Sequence, residues 1–515
     1  MNEADSYEAL FGIGRRDFVR TLALAIAALE GGARPALGSE TTSRPPRDQL
    51  RVQEDAVIGI QMGPHTMLDE GIEPCLDLIQ ETAAINAVFT YTHSFHADLR
   101  KPIQYLATDH GTLPRAPREP LPSIWVRHHD EYFRDTRLRT RPTDPSLEYA
   151  DRDLFSEMAE PARRRGMKVY ARILESSGRA IENFDLAVTV DVFGRPTRVG
   201  CWRNPDYLNF WRGVAEDLFR TYDLDGFQWG AERMGPLMNM ILPWNDTPPT
   251  CFCEHCVTNG RAAGIDAERA REGYSSLYTW VRGQIDGQPK PAEGVITMFA
   301  RHIIRYPEIL AWEYQYRLGR EAVMRAMHDA IKAVRPDARV GWHVDHQPSS
   351  WDLVYRAEMS YEEMAPYSDF IKFIAYHDVL GPRIRNWYLE RFQRTILSEL
   401  SLEQSLALYY AVFGYDPAVE PGVDALETQG FSPDYVYRET RRSVASANGA
   451  TMIYPGIGFD VPWGNRTMPA DPEEVYEATM RAFEGGASGI VVSREYEEMK
   501  LPNLRAVGRA VRELK

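Results

Sequence analysis

Three cysteines stand close together in the segment T-C-F-C-E-H-C, at positions Cys251, Cys253 and Cys256. Thiolates at this spacing can face one metal ion, and tetrahedral zinc takes four ligands of this type. Cys201 or His255 could supply the fourth ligand. Because an all-thiolate site leaves no open position for chemistry, we expect a structural zinc and no organic cofactor. A disulfide with a spare thiol in an oxidising compartment stays the alternative.

Carboxylates, histidines, arginines and aromatic residues recur at or directly after short apolar segments of the sequence. Glu232, Asp345 and Glu495 are the candidates for acid–base chemistry, which requires a positioned proton donor or acceptor. The other residues in such positions are candidates for binding a substrate: Gln61, His93, Arg172, Trp229, His343, His346, Tyr376, His377, Asp378, Asp460, Trp463 and Arg494. A single residue of this kind is usually structural, but the recurrence predicts one shared site.

The apolar segments themselves predict how these residues are positioned. Nine of them are apolar on both faces and are separated by enough chain for a helix: 56–63, 85–93, 167–174, 224–230, 338–344, 369–376, 405–413, 450–457 and 487–493. Such segments are typical of parallel strands covered by helices. We therefore predict an α/β fold, a (β/α)8 TIM barrel, whose functional residues follow the carboxyl ends of the strands.

A closed barrel needs eight strands, so one of the nine segments is an added strand or is not a strand. Long insertions at 94–150 and 245–320 follow the second and fourth segments. A doubly wound open sheet is the competing architecture, but no G-x-G-x-x-G turn follows the first segment. We expect residues 55–515 to form one barrel domain, preceded by a polar linker at 41–54.

Composition and charge exclude several classes of function. The 515 residues include only 37 glycines and 34 prolines, too few for a low-complexity or fibrous chain. The net charge of −15 argues against nucleic acid or an anionic membrane as partner, because their phosphates would be repelled. A homo-oligomer stays open. Five cysteines, an odd number, imply no disulfide framework.

The amino terminus has the features of an export signal. Residues 14–20 read G-R-R-D-F-V-R, with the Arg15–Arg16 pair ahead of Phe18 and of an apolar run too short to span a bilayer. This pattern predicts a twin-arginine signal over residues 1–40 and a mature protein exported to the periplasm or secreted, with no membrane segment. An amphipathic amino-terminal helix is the alternative, since four acidic residues lie in the first 20.

The stretch from Phe155 to Cys256 resembles known carbohydrate enzymes. It contains R-G-M-K-V-Y-A-R, N-P-D-Y, D-L-D-G-F-Q-W and C-F-C-E-H-C in this order, and resembles the hypothetical glycosyl hydrolase 6 group of amylase-like and clan-A barrels. The cysteine cluster after the fourth strand also resembles family 42 β-galactosidases, in which an earlier cysteine completes a zinc site, the role that Cys201 could take. Amylase-like enzymes usually carry an aspartate where this chain has Gly230, and clan-A enzymes carry Asn-Glu where it has Ala231-Glu232.

The resemblance implies a glycoside hydrolase acting on a carbohydrate with two carboxylates. Glu232 is the first, Asp345 is the expected second, and Glu495 is the runner-up. We expect an apolar wall at Trp229 to raise the pKa of Glu232, which suits an acid, and Arg494 to keep Glu495 ionised, which suits a nucleophile. A catalytically inactive carbohydrate-binding barrel is the alternative. A metal-dependent hydrolase or isomerase using His93, His343, His346 and His377 ranks third.

Overall fold

The computed structural model describes Arg44 and residues 46–94, 109–111, 123–143, 145, 149–175, 181–243, 246–464, 466–468 and 470–515. The predicted export signal lies outside the described residues. Among the described residues, no helix is both long enough and apolar enough to cross a membrane.

Eight parallel strands close into a barrel, which confirms the predicted fold. They are β1 (Val57–Met62), β2 (Ala87–Tyr91), β3 (Lys168–Glu175), β4 (Gly226–Ala231), β5 (Arg339–Val344), β6 (Phe370–Ile374), β7 (Met452–Gly458) and β8 (Gly489–Ser493). Each strand pairs with its neighbours in sequence, and β8 pairs with β1 to complete the ring. The carboxyl ends of all eight strands therefore open on one side, which we call the mouth.

Helices surround the barrel and make up most of the predicted insertion at 245–320. They are α1 (Pro64–Glu70), α2 (Ile72–Ala83), α3 (Leu154–Arg164), α4 (Pro205–Thr221), α5 (Pro236–Ile241), α6 (Glu254–Ala262), α7 (Ala267–Ile285), α8 (Val295–Arg305), α9 (Glu308–Val334), α10 (His346–Ser350), α11 (Leu353–Glu358), α12 (Tyr361–Met364), α13 (Leu380–Arg383), α14 (Glu390–Gln393), α15 (Leu402–Phe413), α16 (Pro433–Ala447), α17 (Pro472–Glu484) and α18 (Leu501–Glu513). A π-helix, Ile384–Leu389, joins α13 to α14. Short two-stranded hairpins pair His93–Ser94 with Ser123–Ile124, Arg139–Thr140 with Ile181–Glu182, Val188–Val190 with Pro196–Gly200, and Pro462–Trp463 with Arg466–Thr467.

The prediction of a strand at 405–413 is wrong, because this segment is helix α15. Ser401 caps the helix in a reciprocal arrangement with Gln404. The buried residues Leu406, Tyr409, Tyr410 and Phe413 recur every three to four positions and so form one helical face. The apolar residues of this segment fit both the period of a strand and the period of a helix. The amino-terminal cap is the signal that identifies the helix.

Aromatic residues fill the lower interior of the barrel. Phe89 stacks on Tyr170 with ring centroids 4.3 Å apart, and Phe370 stacks on Tyr454 at 4.9 Å. These rings come from β2, β3, β6 and β7 and meet across the barrel axis. A Cβ atom on Gly59 of β1 would lie 2.5 Å from the Phe89 ring, so a glycine is required there.

One layer above the aromatic residues, the interior becomes polar. Arg172 on β3 and Lys372 on β6 lie two residues beyond Tyr170 and Phe370, on the same inward faces, and both are buried. Gln61 and Gln228, from β1 and β4, lie in the same layer and are fully buried. This buried polar layer forms the floor of the mouth.

The second half of the predicted linker belongs to the outer layer of the barrel. Leu50 and Val52 are buried against the main core, and the Val52 backbone N–H donates to the Leu514 carbonyl oxygen at 2.9 Å. Arg47 forms ion pairs with Glu477 and Glu484 of α17. The segment from residue 46 onwards is thus packed against the barrel.

Candidate active site

Glu232 and His343 meet at the mouth between the ends of β4 and β5. Glu232 follows β4 directly and is half exposed, and its Oε1 lies 3.1 Å from Nε2 of the buried His343. His343 pairs in register with Gly230, where a Cβ atom would lie 2.7 Å from the His343 Cβ. The glycine that departs from the amylase-like pattern is therefore what allows His343 to lie across β4 and reach Glu232.

Lys372 supports His343 from below and was not among the residues predicted from the sequence. Its Nζ lies 3.4 Å from His343 Nδ1 and 3.3 Å from the Tyr376 hydroxyl. Burial and the positive charge of Lys372 lower the pKa of His343 to about 4, so the imidazole is neutral at physiological pH. Burial and the nearby Arg172 lower the pKa of Lys372 well below its usual value. A lysine in the middle of the apolar segment F-I-K-F-I was the available signal.

Asp345 ends the neighbouring strand and differs from Glu232 in its electrostatics. It lies one residue beyond β5 and caps α10 by accepting from the His346 backbone N–H. Burial and the negative charge of Glu232 raise the pKa of Asp345 to about 7. The two predicted carboxylates therefore interact, and the pKa of Asp345 lies near neutral pH.

Glu495 is held by Arg172, in place of the predicted Arg494. Arg172 Nη1 donates to Glu495 Oε1 at 2.9 Å, and the Tyr91 hydroxyl donates to the same oxygen at 3.0 Å. The Arg172 guanidinium lies 4.1 Å above the centre of the Tyr91 ring. Arg494 pairs with Glu498, with Nε 2.9 Å from Oε1. An arginine does lie beside Glu495, but the one that hydrogen-bonds to it is Arg172; Arg494 pairs with Glu498 and acts on Glu495 through its charge.

A third part of the mouth lies beyond β6. Arg383 Nη1 lies 2.8 Å from His346 Nδ1, and the Arg383 guanidinium lies 4.7 Å from the centre of the Trp387 ring. Trp387 contacts Trp463, with ring centroids 5.5 Å apart. Tyr376 lies under this group, 5.6 Å from the Arg383 guanidinium carbon. Neither Arg383 nor Trp387 was singled out from the sequence.

Trp229 does not reach the mouth. The side chains of β4 alternate, and because Gln228 and Gly230 face the interior, Trp229 faces outward. It is fully buried among Trp202, Trp211 and Trp342, between the sheet and α4. The expectation that this ring forms an apolar wall beside Glu232 is therefore wrong.

Four other residues that were predicted to bind substrate are buried, and three of them form hydrogen bonds within the protein. Asp460, at a positive φ of 54°, accepts from the Lys500 backbone N–H and from the Asn503 amide. Asp378 accepts from the backbone N–H groups of Val379 and Val461. The amide of Gln61 contacts Gln228 and Ser493 in the floor. His377 is buried, and neither of its ring nitrogens has a hydrogen-bond partner among the described residues.

The histidines of the metal-dependent alternative do not converge among the described residues. His93 stacks on His128 with centroids 4.9 Å apart, and the two Nε2 atoms lie 2.9 Å from each other. His346 contacts Arg383 and Tyr435, while His343 contacts Glu232. In the described part of the chain, the one group of three or more metal-ligating side chains consists of cysteines.

The four predicted cysteines converge on one point beside the barrel. The Sγ atom of Cys201 lies 3.5 Å from that of Cys253, 3.6 Å from that of Cys256 and 3.7 Å from that of Cys251. Four sulfurs bound to tetrahedral zinc at 2.3 Å lie about 3.8 Å apart, so these spacings fit a metal ion. They are too long for a disulfide, whose sulfurs are about 2.05 Å apart. The four cysteines can therefore hold a metal ion.

The cysteine group connects the insertion after β4 to the chain between β3 and α4. Cys201 directly follows the hairpin strand Pro196–Gly200, whereas the other three lie at the start of α6. They belong to a second core in which Phe252 stacks on Trp312 with centroids 4.9 Å apart. The His255 side chain is one-third exposed and lies near Glu254, which leaves Cys201 as the fourth member.

Comparisons with known proteins reach only remote structural similarity. No protein-family model and no curated protein matches the chain. The PgaB (BpsB) glycoside hydrolase domain from Bordetella bronchiseptica is 13% identical, with a TM-score of 0.44 over 85% of this chain and 94% of that one. An α-L-fucosidase from Paenibacillus thiaminolyticus is 12% identical (TM-score 0.45, 89% and 49%). A β-galactosidase from Halorubrum lacusprofundi is 12% identical (TM-score 0.48, 89% and 58%).

The chain spans about half the length of the fucosidase and of the β-galactosidase chain. TM-scores below 0.5 and identities this low assign neither a family nor a function. The barrel architecture is defined by the strand pairing, and the chemistry of the site follows from its own side chains.

Proposed function

We propose that the protein is an exported glycoside hydrolase that cleaves a glycosidic bond with the carboxylates of the mouth. The observation that carries this proposal is that Asp345 and Glu232 follow the ends of adjacent strands and interact electrostatically, so that burial and the charge of Glu232 raise the pKa of Asp345 to about 7. Glycoside cleavage requires one carboxylic acid to protonate the leaving oxygen and one carboxylate to attack the sugar or to activate water. Environments that push the ionisation of two carboxyls apart assign these roles.

Asp345 is the general acid in this mechanism. Burial and the charge of Glu232 keep its proton in place near neutral pH, and the proton is then available for the departing oxygen. The sequence left open whether Glu232 is the acid or the nucleophile, and only burial beside Trp229 suited it to the role of acid. In the structure Trp229 lies on the outer face of β4, while Glu232 is half exposed.

Glu232 is the nucleophile or general base. Since His343 is neutral and its Nδ1 faces the Lys372 amine, its Nε2 carries the hydrogen and donates to Glu232 Oε1. A neutral donor stabilises the ionised carboxylate without neutralising it. Lys372 therefore positions the imidazole, and the imidazole orients Glu232.

Glu495 binds substrate in this proposal. Its Oε1 accepts from Arg172 and Tyr91, while Oε2 has no hydrogen-bond partner among the described residues. A carboxylate oxygen with free lone pairs at the floor of the mouth suits a sugar hydroxyl. We further propose that the four cysteines hold a structural zinc, because an all-thiolate site has no open position for substrate.

The proposal is tested by the substitution Glu232→Gln. Purified protein is screened on a panel of aryl glycosides and oligosaccharides, and activity on the best substrate should fall by at least about 10²-fold. Since Glu232 attacks or activates water, substrates with good and with poor leaving groups should both be affected. Glu160→Gln, on the exposed face of α3, is the matched control and should retain full activity.

Two results would contradict the proposal. Full activity in Glu232→Gln would remove this residue from the mechanism. Binding of saccharides by the unsubstituted protein with no cleavage of any of them would favour the inactive carbohydrate-binding barrel, in which the mouth is retained without turnover.

A further inference from the structure

The guanidinium of Arg383 forms no ion pair with a carboxylate of the described residues. Arg383 ends α13 directly beyond β6, and only 6% of its surface is exposed. Its Nη1 contacts His346 Nδ1, but Nε has no hydrogen-bond partner and no described carboxylate forms an ion pair with it. Burying an arginine without a partner is costly, because the lost hydration is not replaced.

The neighbouring histidine does not neutralise this charge. Burial and the charge of Arg383 lower the pKa of His346 well below its usual value, so the imidazole is neutral. Its Nε2 faces the Tyr435 hydroxyl at 3.0 Å, and its Nδ1 accepts from Arg383. His346 thus fixes the direction of the guanidinium and leaves the edge formed by Nε and Nη2 for another acceptor.

The two other arginines of the mouth already have carboxylate partners. Arg172 pairs with Glu495, and Arg494 pairs with Glu498. Lys372 faces His343 and the Tyr376 hydroxyl. Arg383 is therefore the one arginine of these three that has no carboxylate partner in the described part of the chain. It lies close enough to Asp345, Glu232 and Arg494 for their charges to affect its pKa, which places it beside the catalytic carboxylates.

Two tryptophans lie next to this guanidinium. Arg383 lies 4.7 Å from the Trp387 ring centre, and Trp387 contacts Trp463. Both tryptophans are partly exposed. The flat face of an indole is a common surface for a sugar ring, and a guanidinium edge with two parallel N–H donors matches a carboxylate or another anionic group with two oxygens.

We propose that the substrate is an anionic saccharide whose carboxylate or sulfate group binds the Nε–Nη2 edge of Arg383 while a sugar ring contacts Trp387 and Trp463. This inference rests on the proposed function, because it names the substrate class of the same site. The anionic group supplies the partner that the buried guanidinium lacks. A local positive group is also needed because the chain as a whole carries a net charge of −15, which repels an anion at long range.

Binding to the full chain tests the inference without requiring turnover. Saturation-transfer NMR compares D-glucuronate with D-glucose, D-galacturonate with D-galactose, and D-glucose 6-sulfate with D-glucose. At least one acidic sugar should bind about tenfold more tightly than its neutral counterpart, which is the scale of a charge-assisted hydrogen bond. Tighter binding of a uronate than of its neutral sugar identifies a carboxylate as the anionic group. Tighter binding of glucose 6-sulfate than of glucose identifies a sulfate. Equal binding of acidic and neutral sugars, or binding of none, would overturn the inference.

Arg383→Met tests the residue itself. This variant should lose the preference for the acidic sugar, whereas its melting temperature without ligand should stay the same or rise, because an unpaired buried charge is removed. A purely structural arginine would give a lower melting temperature and an unchanged preference. The control is Arg385→Met, two positions along the chain. It also removes one positive charge, but the Arg385 guanidinium pairs with Glu390. This variant should keep the preference for the acidic sugar.

The outcome separates this inference from the proposed function. If acidic sugars bind through Arg383 and no acidic oligosaccharide is cleaved, the inference about the substrate class stands and the proposed hydrolase function is contradicted. If a neutral glycoside is cleaved in a Glu232-dependent way and Arg383→Met has no effect on binding, the proposed function stands and the inference fails.

Discussion

Neighbouring side chains at the mouth differ in protonation because their surroundings differ over a short distance. His343 is neutral because it is buried beside Lys372, and Asp345 keeps a proton because it is part-buried beside Glu232. Glu232 is half exposed and accepts from His343. Removing the charge of Glu232 should lower the pKa of Asp345, because that charge is one of the causes that raise it.

Asp345→Asn should therefore change the pH dependence of the reaction as well as its rate. With a pKa of about 7, the acid is protonated below pH 7 and loses its proton above it, so kcat/KM should fall on the alkaline side. In the variant this alkaline limb should disappear. Activity on substrates with poor leaving groups should fall about 10²- to 10⁴-fold, and activity on activated aryl glycosides should fall much less.

The control for this experiment is Asp337→Asn, an exposed aspartate just before the opposite end of the same strand. Its pH profile should match that of the unsubstituted enzyme. An Asp345→Asn enzyme that keeps the alkaline limb would show that another group is the acid.

The sequence predicted most of the mouth because the rule that places function at strand ends needs only the strand positions. Glu232, His343, Asp345, Arg172 and Glu495 come together as this rule expects. Which groups touch depends on side-chain direction and on residues between strands, which a single sequence does not reveal. Trp229 faces outward for this reason, and Arg383 reaches the mouth from a short helix beyond the strand.

At the scale of elements, the insertion after β4 is a helical layer fastened to the barrel by the cysteine group. It contains α5 to α8 and leads into α9, which packs along α4. Its core is separate from the main core of the barrel and is centred on Phe252 and Trp312. A metal ion at the four sulfurs would link this layer to the segment before α4.

Cys201→Ser should remove the metal and destabilise this layer. Metal analysis of the purified protein should find about one zinc per chain, and the variant should contain much less, because serine is a poor zinc ligand. Chelation should lower the melting temperature of the unsubstituted protein and have little further effect on the variant. Activity should decline only in step with stability.

Cys75→Ser is the matched control, since Cys75 is buried in α2, away from the group. It should retain the zinc content of the unsubstituted protein. Equal zinc in Cys201→Ser and the unsubstituted protein, or a disulfide detected within the group in the absence of reductant, would contradict the structural zinc.

The misassigned segment 405–413 shows where prediction of elements from a sequence reaches its limit. Its apolar residues satisfy a buried strand and a helical face equally well, because periodicity cannot separate the two over nine residues. The capping box at Ser401 and Gln404 decides for the helix. The eight correct strands are distinguished by β-branched residues and by glycines where neighbouring side chains come close, as at Gly226 and Gly341.

At the scale of the whole molecule, the predicted export signal remains a proposal that rests on the Arg15–Arg16 pair. Replacing both residues by lysine should leave the protein in the cytoplasm, because the twin-arginine receptor reads the pair as an address. Fractionation with an antibody or an epitope tag measures the location. Replacing Arg20 alone by lysine is the control and should permit export, and unchanged export of the double variant would contradict the signal.

Several buried carboxyls make the stability of the whole barrel depend on pH in an unusual direction. Burial raises the pKa of Glu313 and Glu498 to about 7 and that of Asp352 and Asp378 to about 8, and Asp345 joins them at about 7. Each binds a proton in the folded state that it has already lost in the unfolded state between pH 5 and 7. Folding is therefore favoured at low pH, and this contribution is lost as pH rises through the folded-state pKa.

Buried histidines oppose this trend only at lower pH. His343 and His377 have pKa values lowered to about 4, so they contribute stability above pH 6.5 that is lost as pH falls towards 4. The two effects oppose each other between pH 4 and 6.5. Above pH 6.5 the buried Lys372, whose pKa is lowered, acts in the opposite sense to the carboxyls. The five carboxyls outnumber it, so we expect the free energy of unfolding to decrease from pH 6.5 to 8.

Asp352→Asn isolates one of these carboxyls. Asp352 is fully buried, its Oδ1 accepts from the Tyr355 N–H and its Oδ2 has no partner among the described residues. Asparagine keeps the cap of α11 and resembles the protonated acid, so the variant should fold. Between pH 6.5 and 8 it should lose stability less steeply than the unsubstituted protein, by about 1.4 kcal/mol per pH unit, the slope contributed by one proton. Urea unfolding at half-unit pH intervals measures this difference, and Asp337→Asn should keep the original slope. Parallel curves for Asp352→Asn and the unsubstituted protein would show that Asp352 is ionised in the folded state and that the buried acid is not a source of the pH dependence.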